Sequence, residues 1–191
     1  MSESTRLKRR YDGAGRRRQA EATRSKVVAA AARVFLQRGY AGATIPAIAV
    51  EAGVALQTVY RAAPGKAGLL AAAVTAAVAG GFERSMTAVE ERPAIRAMIE
   101  EKDPYRQLEL YAHTQPGIWS RVGPLLRVLD VAATSEPDLR RLQQEQETQR
   151  LEGLTRFARL LQHRGALLYK DYPLPQYHHL RGHILLECHP P

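Results

Sequence analysis

The most specific chemistry in this sequence is gathered in a few consecutive residues: Gln57, Thr58, Tyr60 and Arg61. If residues 56–61 form a helix, Val59 and the face it shares with Leu56 turn inward, and those four side chains turn outward. An outward glutamine amide can pair bidentately with an adenine edge, and a guanidinium can reach guanine or a phosphate. Each also has a plainer use: Tyr60 as a core aromatic with its hydroxyl in water, Gln57 and Arg61 as solvated side chains. Thr44 stands at the start of the preceding helical segment, where its hydroxyl caps the helix. A helix N-terminus with a hydroxyl also suits a phosphate. Arg24 and Lys26 fall on the polar side of an earlier helix, placed to meet the same backbone.

A second cluster, His178, His179, His183, Cys188 and His189, raises metal binding, because His179 and His183 at i, i+4 can share one helical face. No CxxC or HExxH motif accompanies it, and no metal site or cofactor is expected. Nor is there a nucleophile–base motif or a phosphate loop, so an enzyme is not expected.

The elements that must position these residues are helical throughout. Val27, Ala31, Val34 and Phe35 recur at spacings of three and four, and predict a helix near 23–38, with Thr23 as N-cap and Gly39 as its glycine stop. Thr44 and Pro46 open a short second helix carrying Ile45, Ile48, Ala49 and Ala52, and Gly53 closes it. The third helix follows within a few residues, so the pair reads as a helix-turn-helix over about 44–63. Pro64-Gly65 ends the third helix, and a fourth runs from Lys66 toward residue 88. Further helices are predicted at 93–102, 104–114, 117–133 and 136–163. The fold expected is all-α. Three divisions follow: a disordered basic arm over 1–21, a DNA-binding domain over 22–66, and a larger helical domain over 67–191.

Charge divides the chain in the same place. Residues 1–66 hold 13 Lys and Arg against 4 Asp and Glu, a balance of +9, and the remaining residues balance to zero. A basic excess confined to one end points to a polyanion partner, nucleic acid or an anionic membrane. The longest uncharged stretch, Ala67 to Phe82, is too short to span a bilayer. Neither a membrane partner nor a secretory leader is expected, and one cysteine excludes an internal disulfide. The combination suits a cytoplasmic protein.

Residues 23–70 resemble the DNA-binding domain of the TetR family of bacterial transcriptional regulators. The shared positions are Phe35, Gly39-Tyr40, Thr44, Ile48-Ala49, Ala52-Gly53-Val54, Thr58, Tyr60, Lys66 and Leu69. Departures fall at Ile45, Ala62, Ala63, Gly65 and Ala67, and the loss of an aromatic at 63 weakens the packing expected between the third and fourth helices. The resemblance implies phosphate contacts from Thr58, Tyr60 and Lys66, and a homodimer on a palindromic double-stranded operator. It further implies a small-molecule effector that releases a repressor from DNA, with Met98, Tyr105, Tyr111, His113 and Trp119 as candidate lining residues. Dimerisation would use helix 136–163 and the C-terminal segment, although Tyr169 to Pro175 reads as a proline-broken linker and suggests an altered C-terminus. A constitutive helix-turn-helix protein without effector control is the alternative.

Overall fold

The first helix, α1, spans Gly13–Gly42, well beyond the range its apolar stripe predicts. The computed structural model describes residues 13–165, which hold eight α-helices, one 3-10 turn and no strand. The arm expected to lack structure through residue 21 is therefore helical from Gly13 onward. Arg16-Arg17-Arg18-Gln19-Ala20-Glu21 contains only good helix formers, so a helix anchored downstream can extend through it without burial. Thr23 consequently lies inside the helix, where its hydroxyl donates to the Gln19 carbonyl at 2.8 Å instead of capping. The anchor is Val27, Val28, Ala30, Ala31, Val34 and Phe35, all buried. Gly39 (φ 66°) breaks the regular run as expected, and Tyr40 to Gly42 make a further turn.

Helices α2 (Ile45–Ala52) and α3 (Leu56–Ala62) match the predicted helix-turn-helix. Helix α4 (Gly65–Ala79) stops well before residue 88, because Gly80 adopts a left-handed conformation (φ 81°) and its N–H turns back to the carbonyls of Ala76 and Ala77. Helix α5 (Phe82–Ser85), the 3-10 turn Val89–Glu91 and α6 (Pro93–Glu100) fill the stretch before α7.

Helix α7 runs unbroken from Pro104 to Ala133, where two helices were predicted. Pro116 and Pro124 lie inside it, each forfeiting a backbone hydrogen bond at a cost of about 3 kcal/mol in an isolated helix. The buried row Val122, Leu125, Leu129 and Ala132 offsets that cost by packing against the rest of the core. Helix α8 spans Pro137–His163, as predicted.

One continuous core links α1 to α5 with the second half of α7 and the start of α8. Helix α4 belongs to both divisions of the chain: it begins beside the helix-turn-helix and buries Leu69, Leu70, Ala73 and Val74 in the shared core. No single helix among the described residues is long and apolar enough to cross a membrane. Arg6 to Arg10, the linker Tyr169–Pro175 and the cluster from His178 to His189 lie outside the described residues.

Candidate nucleic-acid interface

Local capping builds the interface. Thr44 sits in extended conformation before α2, and its hydroxyl oxygen accepts the N–H of Ala47 at 3.2 Å. Pro46 occupies the first turn, where its missing N–H forfeits nothing. At the other end, Gly53 (φ 63°, ψ 39°) takes the left-handed conformation that reverses the chain, and Val54 N–H donates to the Ala49 carbonyl at 3.1 Å. Helix α3 starts two residues later. Ion pairing of the exposed Arg33 and Glu51 ties α1 to α2.

Val59 and Ala62 fix the orientation of α3, since both are buried. Gln57, Tyr60 and Arg61 are exposed and Thr58 is half-buried, so the four predicted side chains share the outer side of one short helix. Tyr60 is 53% exposed, which rules out the core-aromatic use. Leu56 departs from expectation: it is 43% exposed rather than turned inward with Val59. Three of the six residues that share its hollow are Ala49, Gly53 and Ala55, so the leucine lines a shallow, open surface instead of a packed seam. Helical spacing alone put it inside, and the small side chains of α2 were the available warning.

Lys66, at the start of α4, is engaged within the fold. Its ammonium donates to the Tyr40 carbonyl at 2.9 Å and stands 4.2 Å from the centroid of the Tyr40 ring. That ring in turn stacks on Phe35 at 5.9 Å. Burial, aided by the charges of Glu136 and Asp138, raises the Tyr40 phenol above its ordinary pKa. Arg24 is exposed but lies over the Phe82 ring, 5.5 Å from its centroid, which holds the N-terminal half of α1 to α5. The missing aromatic at position 63 is accommodated by close approach. Ala63 is buried, and a Cβ on Gly68 would lie 2.8 Å from Pro64 Cδ and 3.6 Å from Ala63 Cβ.

The five candidate effector residues are not brought together. Met98 is buried, and half-buried Tyr111 stacks on Phe157 at 4.7 Å. Tyr105 is 76% exposed and Trp119 is exposed too. His113 is also exposed, with Nδ1 2.8 Å from the Glu109 carbonyl. None of the five lines the open hollow formed by α2, α3 and their turn, or the one formed by Arg141 to Glu152 of α8. Among the described residues no group of three or more His, Cys, Asp or Glu could hold a metal.

Residues 27–73 match the family model described as bacterial regulatory proteins, tetR family. No curated protein and no solved structure gives a match. The matched span takes in the anchored part of α1, all of α2 and α3 and the first half of α4, the elements that hold Thr44, the outer side of α3 and Lys66. Over that span the chain carries the N-terminal DNA-binding domain that the tetR family model describes.

Proposed function

We propose that α3 reads operator sequence in the major groove through Gln57 and Arg61, with Thr58 and Tyr60 donating hydroxyls to phosphate oxygens. The observation that carries this reading is the two-sidedness of α3. Val59 and Ala62 are buried, and the opposite side presents an amide, a guanidinium and two hydroxyls without an intervening carboxylate. Thr44 adds its hydroxyl hydrogen, which can donate to a phosphate while the oxygen accepts the Ala47 N–H at the N-terminus of α2. Lys66 uses one ammonium hydrogen on Tyr40, and its remaining hydrogens serve a phosphate at the start of α4. Arg24 and the arginines of the α1 extension supply salt-dependent attraction without sequence preference.

A single seven-residue helix covers a short stretch of DNA, so recognition of a palindrome calls for a homodimer, with α8 and the C-terminal segment as its interface. Repression follows when the dimer occupies an operator, and an effector that favours another spacing of the two α3 helices releases it. Gln107, fully buried on α7, donates its amide to the Met98 carbonyl at 2.7 Å and so ties α6 to α7 within the helical body.

Selection of bound duplexes from a random pool, using the full chain, tests the DNA reading. Enrichment of an inverted repeat with half-sites about one helical turn apart, or a multiple of it, is the expected result. Failure of any sequence to enrich contradicts it.

A further inference from the structure

The first residues of a recognition helix come against base edges, while the preceding helix crosses the backbone. In this chain that position is not polar. Leu56 opens α3 at 43% exposed, and Val50 on α2 is 83% exposed. Both line one open hollow together with Pro46, Ala49 and Gly53. The hollow therefore lies over the turn between α2 and α3, with Val54 and Ala55 in its wall, and reaches from Pro46 in the first turn of α2 to the first residue of α3. Gln57 is the next residue along α3 after Leu56, and it is exposed. Of the groups that the four base pairs display in the major groove, the thymine C5-methyl is the apolar one.

Resting on the DNA-binding reading, we infer that Leu56 and Val50 form an apolar reader that receives thymine C5-methyl groups. Each half-site then carries a thymine within a base pair or two of the adenine met by Gln57. The recess supplies specificity by burying a methyl, with no hydrogen bond, so it complements the polar readout of Gln57 and Arg61. Exposure of Leu56 in the free protein is the cost of keeping that surface ready.

The test uses the full chain and its selected operator, with each thymine replaced in turn by uracil. This change removes the methyl and leaves every hydrogen-bonding edge intact. One or two positions per half-site are expected to weaken binding by about three- to fivefold, the effect of burying roughly one methyl. The same penalty should disappear in Leu56→Ala or Val50→Ala, neither of which belongs to the core. Uniform tolerance of uracil, with the operator still preferred over a scrambled duplex, overturns this inference and leaves the reading of α3 intact. Uracil penalties that persist undiminished in both variants also overturn it, because the methyls are then read elsewhere. A change in the sedimentation of the free chain on Leu56→Ala identifies a surface for a second copy and overturns it as well. Loss of all preference between operator and scrambled duplex in the unaltered chain is the separate failure of the DNA reading itself.

Discussion

Lys66 and Tyr40 are joined twice, by a hydrogen bond from the ammonium to the Tyr40 carbonyl at 2.9 Å and by the ammonium lying 4.2 Å from the centre of the Tyr40 ring. The pair fastens the first turn of α4 to the end of α1, and through the ring to Phe35 in the core. Helix α4 is also the element that leads from the helix-turn-helix into the helical body. Lys66→Met keeps an unbranched apolar stem but loses both interactions. Thermal denaturation should show a loss of about 2 kcal/mol. If Lys66 also meets a phosphate, the salt dependence of DNA binding should become shallower by about one counterion.

Tyr40 provides a pH test of the same junction. Its pKa is raised, first by burial and then by Glu136 and Asp138, so the folded state holds the phenolic proton more tightly than the unfolded chain does. The corresponding stability is fully present below the ordinary tyrosine value near 10, and is lost as pH rises through the raised folded value. Spectrophotometric titration should show late-ionising tyrosine, and Tyr40→Phe should remove one such step. Tyr111, raised by burial against the opposing charge of Arg150, should account for another.

Gly53 isolates the conformational term at the turn between α2 and α3. A Cβ there meets nothing within 4 Å, yet the residue holds φ 63°. Gly53→Ala should therefore cost about 1 kcal/mol through backbone strain alone, and Gly53→Asn less. Urea denaturation of the two variants checks the order.

Gly68 sets helix propensity against packing. In the interior of α4, alanine is favoured over glycine by about 1 kcal/mol. The added Cβ would, however, lie 2.8 Å from Cδ and 2.9 Å from Cγ of the Pro64 ring, a group with little freedom to move. Gly68→Ala should lower the melting temperature; a rise would show that the α3–α4 corner is not as tight as the structure has it.

The elements around the interface were legible because their signals are local. A threonine cap, a proline in the first turn and a left-handed glycine each act within a few residues, so Thr44, Pro46 and Gly53 mark α2 unaided. The outer side of α3 followed from the need to bury Val59. Tertiary effects defeated the rest. Pro116 argued for a break that the buried row of α7 overrides, and the polar run before Thr23 gave no apolar stripe although an anchored helix extends through it. Leu56 fitted the inward period, but its neighbours across the turn are too small to enclose it. Arg16 to Arg18, placed on a disordered arm by their sequence, instead ride on a helix that continues into the core at Val27 and Val28.

The central claim is that α3 confers sequence preference through Gln57 and Arg61. Its most direct measurement is the affinity of the full chain for its selected operator and for a scrambled duplex of equal length, at one salt concentration. The operator should be preferred by about a thousandfold or more. Arg61→Ala and Gln57→Ala should each reduce that ratio by about 1–3 kcal/mol, with little change in binding to the scrambled duplex. Equal affinity for both duplexes, or an unchanged ratio in both variants, would contradict the assignment of sequence reading to α3.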